Sequence, residues 1–183
     1  TLAKDLSLVV VDGATGFGNG RVLPAGPLRE PVADGLARAD AAVVVGPPRP
    51  GLEQRLALGL GDRPVLHADL VPNELGRALG GQRVVAFAGI GRPAKVFETL
   101  QALGCRLLHA VPFADHYPYA PTDLEPLWQE ARSLDALLVT TAKDAARLPR
   151  QWRERVRVLE VETLWDDADS RTLDHMLAEV LDG

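Results

Sequence analysis

Short, continuous runs of Val, Leu and Ala recur along this chain at Leu8 to Val11, Ala41 to Val45, Val65 to Leu66, Val84 to Ala88, Leu107 to Val111, Leu137 to Val139 and Val156 to Val161. Most are bounded by Gly, Pro or Asp, and they are continuous rather than alternating, which is the pattern of strands buried on both faces. Helical periods lie between several of them. Pro93 to Leu103 spaces Val96, Leu100 and Leu103 by four and three, with Gly104 as a stop signal. A second helix opens at Thr122-Asp123-Leu124-Glu125 after Pro121 and runs to about Leu134, with Leu124, Leu127, Trp128 and Ala131 on one face. Strands alternating with helices imply an α/β fold around a mostly parallel sheet.

The segment from Pro47 to Gly81 breaks this rhythm. Gly46-Pro47-Pro48-Arg49-Pro50-Gly51, Gly59-Leu60-Gly61-Asp62 and Gly80-Gly81 interrupt regular structure, so the expected division is 1–46 as part of one sheet, 47–80 as a connector with some local strand and helix, and 81–183 as a C-terminal α/β domain. With 183 residues, 46% of them apolar, folding removes about 70% of the unfolded chain's surface from water and needs no staple. The one cysteine, Cys105, excludes an intrachain disulfide and suits a reducing compartment. Twenty Lys and Arg against 25 Asp and Glu give a net charge of −5, which argues against a nucleic-acid-coating protein. No apolar run approaches the roughly 20 residues of a membrane span, and Thr1-Leu2-Ala3-Lys4-Asp5 lacks the apolar core of a signal peptide, so the chain itself is expected to be soluble. Thr1 stands only a few residues before the first strand run, and the expectation is a fragment of a larger fold.

Four segments carry residues suited to chemistry. Val9-Val10-Val11-Asp12-Gly13, followed by Gly16-Phe17-Gly18-Asn19-Gly20, sets a carboxylate at the C-terminal end of a buried strand beside a backbone that a ligand can approach closely; a plain Asp-Gly turn explains the same residues. Leu23-Pro24-Ala25-Gly26-Pro27-Leu28-Arg29-Glu30-Pro31 fixes a loop leading into a short helix, with Arg29 available to a phosphate or carboxylate or simply paired with Glu30. Val111-Pro112-Phe113-Ala114-Asp115-His116-Tyr117-Pro118-Tyr119 follows a strand and offers His116 as a general acid or base, or as a solvated loop histidine. Thr140-Thr141-Ala142-Lys143-Asp144 either holds a ligand phosphate or caps a short helix through Ala145 to Leu148. His67, His109 and His175 read as structural.

Absences narrow the chemistry. The three lysines, Lys4, Lys95 and Lys143, each follow Ala, so the sequence holds no Walker A motif, which needs Gly immediately before its Lys. Metal-ligand Cys/His spacing and a Gly-x-Ser-x-Gly elbow are also missing. Ala88-Gly89-Ile90-Gly91-Arg92-Pro93 is a strand-to-helix turn without the third Gly of a dinucleotide fingerprint.

In order, Val10-Val11-Asp12-Gly13, Gly16-Phe17-Gly18-Asn19-Gly20, Leu23-Pro24-Ala25-Gly26-Pro27-Leu28-Arg29-Glu30, Ala88-Gly89-Ile90-Gly91-Arg92-Pro93, Phe113-Ala114-Asp115-His116 and Thr141-Ala142-Lys143-Asp144-Ala145 closely resemble the C-terminal part of the tetraacyldisaccharide 4'-kinase family of Gram-negative bacteria. The resemblance implies a three-layer P-loop-kinase-like core, of which 1–46 is the remnant, joined to a smaller Rossmann-like α/β domain. It implies transfer of the ATP γ-phosphate, with Mg²⁺, to the 4' hydroxyl of a tetraacyldisaccharide 1-phosphate, giving lipid IVA. The partners implied are the lipid disaccharide, ATP and the cytoplasmic face of the inner membrane, met through a part of the family's chain that this sequence lacks. By the same resemblance His116 is the histidine of a catalytic dyad with an upstream Asp, Glu30 an acidic active-site residue, Arg29 and Asn19 neighbours of substrate or phosphate, and Asp12 a neighbour of nucleotide and metal. Ala142 departs from the usual Glu of Thr-Glu-Lys-Asp.

Phosphoryl transfer needs an oriented acceptor hydroxyl and cations that neutralise developing charge. This sequence brings the histidine side of that arrangement and no Walker A Lys, so the isolated chain is expected to be inactive. A non-catalytic α/β module that binds a sugar, a nucleotide or a partner protein is the alternative. A nucleotide-sugar enzyme of Rossmann type would rest on Gly89 and Gly91 alone.

Overall fold

The structure, a computed structural model, describes residues 5–181. In chain order its first elements are β1 (Leu8–Asp12), α1 (Val32–Ala37), β2 (Ala41–Val45), α2 (Leu52–Leu60), β3 (Val65–Pro72), α3 (Glu74–Arg77), β4 (Arg83–Ala88) and α4 (Pro93–Ala102). There follow β5 (Arg106–Pro112), α5 (Pro121–Ser133), β6 (Leu137–Thr141), α6 (Ala142–Arg147), α7 (Arg150–Arg153), β7 (Arg157–Leu159), β8 (Val161–Trp165) and α8 (Asp167–Leu181). The chain forms two compact units, one running up to Val71 and resuming at Thr163, the other spanning Pro72–Glu162.

The first unit is built on a sheet of order β1-β2-β3-β8, in which β1–β2 and β2–β3 are parallel. The unbroken apolar run Ala41–Val45 is explained by its two covered faces. Ala42 and Val44 pack with Val11, Leu36, Leu52, Leu56 and Leu60, the last four from α1 and α2, whereas Ala41 and Val43 join Leu66, Ala68 and the α8 residues Leu173 and Met176. Register sets Asp12 opposite Val45, so both strands end at the same carboxyl edge.

The second unit carries a fully parallel sheet of order β5-β4-β6-β7. Odd and even residues of β4 again serve opposite faces. Val85 and Phe87 pack with Leu124, Leu127 and Ala131 of α5, while Val84, Ala86 and Ala88 pack with Val96 and Leu100 of α4. The connections leaving β4 and β6 thus run to opposite sides of the sheet, and the carboxyl end of β4 is a switch point where α/β folds characteristically bind ligands.

The structure differs from the sequence expectations at two places. Residues 47–80, expected to be a connector with some local strand and helix, hold more regular structure than that, a nine-residue helix, an eight-residue strand and α3, because Leu52, Leu56 and Leu60 at four-residue spacing bury one face of α2. The run Val156 to Val161 is two strands in two sheets, β7 and β8, parted at Glu160. Accordingly α8 lies with the first compact unit, and the segment 81–183 does not form one unit.

Candidate functional site

The carboxyl edge of the first sheet carries four of the expected site residues. Asp12 closes β1, and its Oδ1 accepts from Thr15 N at 2.9 Å and Thr15 Oγ1 at 3.1 Å, which ties the turn that starts the glycine-rich loop. Gly13 leaves the strand so close to the end of β2 that a Cβ there would run into the carbonyl oxygens of Gly46 and Pro47. Asn19 is committed to its own loop: Nδ2 donates to Ala25 O at 2.8 Å and Oδ1 accepts from Arg21 N at 3.0 Å. Its contribution is to shape the segment that delivers Arg29 and Glu30.

Arg29 is exposed and takes no ion pair or hydrogen bond among the described residues. Glu30 is paired instead with Arg38, whose Nη2 donates to both carboxylate oxygens at 2.7 and 2.8 Å while Nη1 donates to Asp34 O at 3.1 Å. The expected Arg29–Glu30 pair is therefore replaced by a contact eight residues downstream, from the residue that caps α1. Beside the glycine-rich loop, Gly16, Phe17, Gly18, Arg49 and Arg55 line a hollow of about 130 Å³, with the Arg55 guanidinium 5.2 Å from the Phe17 ring centre. Two guanidinium groups at one hollow favour an anionic occupant.

His116 lies in the second unit, on the loop after β5, and its side chain is 86% exposed. Its backbone is held in the left-handed region at φ 57°, a conformation that costs a non-glycine residue roughly 1–2 kcal/mol. Two acceptors meet its N–H, Gly89 O at 3.1 Å and Asp115 Oδ1 at 3.0 Å, and its Nε2 stands 3.9 Å from Asp115 Oδ2. Phe113 N also donates to Ala88 O at 2.8 Å, so the loop is stitched to the end of β4.

Beneath this loop lies Asp144, fully buried. It accepts from Tyr119 Oη at 2.9 Å, Thr141 Oγ1 at 2.7 Å, Gly89 N at 3.2 Å and Arg147 Nη2 at 2.6 Å. Burial first, and then the neighbouring carboxylate, pushes the Tyr119 phenol well above its ordinary range. Asp144 and Thr140 are fully buried, and the helix-cap expectation for this segment is met: Thr141 Oγ1 accepts from Asp144 N at 3.1 Å. A Cβ on Gly89 would stand 2.6 Å from Tyr119 Oη and 3.0 Å from Ala114 O, so only glycine fits where the His116 loop packs on the end of β4.

The other histidines are paired at the surface. His67 Nε2 lies 3.0 Å from Glu53 Oε1 and its backbone N–H donates to Asp169 of α8 at 2.8 Å; His109 Nδ1 lies 2.9 Å from Glu130 Oε2. Among the described residues no group of three His, Cys, Asp or Glu side chains is placed to hold a metal by itself. The sequence reading missed Arg38, Arg49 and Arg55, which carry no periodic signal, and it missed that Tyr119 and Asp144 meet.

The family model described as tetraacyldisaccharide-1-P 4'-kinase matches residues 1–182. A tetraacyldisaccharide 4'-kinase of Rhodospirillum centenum is 54% identical over 183 residues, covering 100% of this chain and 53% of the relative. One from Paramagnetospirillum magneticum is 56% identical over 167 residues, covering 91% of this chain and 50% of the relative. The chain thus spans about half the length of the curated relatives it matches. Among solved structures, LpxK from Aquifex aeolicus in complex with ATP superposes with a TM-score of 0.63 at 23% identity, covering 97% of this chain and 53% of that one.

Proposed function

This chain belongs to the tetraacyldisaccharide-1-P 4'-kinase family, and from that premise we propose that it supplies the histidine-bearing half of a kinase that transfers the γ-phosphate of ATP to the 4' hydroxyl of a tetraacyldisaccharide 1-phosphate. The observation that carries the reading is the family match over residues 1–182. In this reading His116 works on the acceptor hydroxyl. The hydroxyl oxygen forms a bond to the γ-phosphorus, its proton passes to the acid–base pair of which His116 is one member, and the bond from the γ-phosphorus to the bridging oxygen breaks to release ADP.

Glu30, held by Arg38, and the exposed Arg29 are assigned to the substrate side of this reaction, Arg29 as a cation for phosphate. Asn19 acts by holding the loop that presents them. Mg²⁺ in kinases is bound by one or two carboxylates and by the nucleotide phosphates, so a full protein cage is not needed. Asp12, an oxygen donor at a strand's carboxyl edge, fits as one such ligand, and the ion when bound supplies charge neutralisation on the phosphates. Work at the cytoplasmic face of the inner membrane belongs to the same proposal; among the described residues no helix is long and apolar enough to cross a membrane.

The test is ATP-dependent phosphorylation of the lipid disaccharide. A polypeptide joining this chain to the remaining half of its relatives' length is expected to turn over, and to lose turnover on His116→Ala with its fold intact. The 183-residue chain by itself is expected to be inert, having no Gly-Lys pair to grip the β and γ phosphates. Unchanged activity in His116→Ala would favour a non-catalytic binding module instead.

A further inference from the structure

We propose that Asp144 is a positioning residue for His116, acting through the backbone of Gly89; the inference rests on the reading of His116 as the residue that serves phosphoryl transfer. Asp144 is fully buried, and its two oxygens accept from four groups of three kinds: a backbone N–H, two hydroxyls and a guanidinium. Its charge is matched by Arg147, whose Nη2 also donates to Gly89 O at 2.9 Å. The ion pair therefore grips Gly89 on both sides of its Cα, the carboxylate at the N–H and the guanidinium at the carbonyl.

That gripped carbonyl is the one that receives His116 N. The loop from Phe113 to Tyr119 is then fixed at three points: Ala88 O at its start, Gly89 O in its middle, and Asp144 at the Tyr119 hydroxyl. A non-glycine residue persists in the left-handed region only where its surroundings over-determine it, and these three attachments do so for His116. None of them touches the exposed imidazole, so Asp144 sets where the ring stands without meeting a substrate.

An amide in place of the carboxylate breaks the arrangement selectively. Asp144→Asn keeps the side-chain shape but presents an NH₂ group that cannot accept from Gly89 N or Arg147 Nη2, and it leaves Arg147 without its charge partner. If Asp144 served only to tie α6 and Tyr119 together, the exchange would lower stability and leave His116 where it is.

The experiment uses the 183-residue chain and its Asp144→Asn variant, compared by amide hydrogen exchange and by NMR of labelled histidine. The expected result is about tenfold or greater loss of protection at Gly89 and displaced His116 amide and imidazole resonances, with Leu124 and Ala131 protected within about twofold of the parent. In the polypeptide completed with the remaining half, kcat should fall by about tenfold or more while KM for ATP stays within about twofold. Should Asp144→Asn fail to fold, Tyr119→Phe removes one attachment, spares the ion pair and is expected to move His116 in the same sense by less. His116 resonances that stay in place in the folded variant overturn the proposal, and so does an unchanged kcat in an active parent. A parent without turnover refutes the kinase reading instead, and leaves the positioning to be decided by exchange and resonance.

Discussion

Tyr119 Oη donates to Asp144 Oδ1 at 2.9 Å, closing the loop after β5 onto the first turn of α6 across 25 positions of sequence. Burial raises the phenol's pKa above the usual value near 10, and the carboxylate adds to the shift. In the unfolded chain the phenol ionises near pH 10, where the folded one keeps its proton. The unfolded state then binds fewer protons, and stability falls as pH rises. The midpoint of thermal unfolding should therefore decline more steeply beyond about pH 10, with a shallower decline there in Tyr119→Phe. Calorimetry across the alkaline range measures both slopes, and equal slopes would remove Tyr119 from the explanation.

Gly89→Ala forces a methyl group to within 2.6 Å of the Tyr119 oxygen and 3.0 Å of Ala114 O. One of these is backbone and cannot rotate away. Denaturant unfolding should show a loss of about 1–3 kcal/mol, typical of overpacking at a tight site. No loss would mean that the His116 loop is not seated on this turn.

His116→Gly and His116→Ala should separate folding from chemistry. Both remove the imidazole and, in the completed polypeptide, should abolish turnover. Only glycine relaxes the positive φ, so His116→Gly should be more stable than His116→Ala by about 1 kcal/mol. Equal stabilities would show that the loop does not hold this residue in the left-handed region.

Arg38→Ala releases Glu30. The pair is exposed, with side chains 62% and 46% accessible, so stability should change by less than about 1 kcal/mol. A kinase effect larger than the stability effect, seen as raised KM for the lipid substrate, is the expected signature of a carboxylate that has lost its orientation.

Cys105 is buried, donates Sγ–H to Leu79 O at 3.1 Å, and has its thiol pushed above the ordinary range by burial. The thiolate is the reactive form. Thiol reagents at neutral pH should therefore label the folded chain far more slowly than the chain in denaturant. Rapid labelling under native conditions would contradict the burial.

Strands were readable where both faces are covered, because burial on two sides leaves an unbroken apolar run such as Ala41–Val45 or Val84–Ala88. The run Val156 to Val161 misled for the same reason: apolar continuity does not record that Glu160 O turns aside to accept from Asn73 N, or that the strands on either side belong to different sheets. Proline and glycine near 47–51 hid α2, whose apolar positions begin only at Leu52. At the candidate site, the placement of Asp12 and His116 at strand carboxyl edges followed from the strand pattern. Arg38 was invisible because an exposed cation carries no periodic signature, and the burial of Asp144 was hidden because its donors include Gly89 and Tyr119, both distant in sequence.

Asn73 N donates to Glu160 O at 3.1 Å and Asn73 Nδ2 to Glu160 Oε2 at 3.2 Å, so the segment Pro72–Glu162 begins and ends at one place. The chain thus leaves β3 and returns at β8 through neighbouring points, so the two crossings into this segment share one hydrogen-bonded clasp, and Asn73→Ala should loosen both at once.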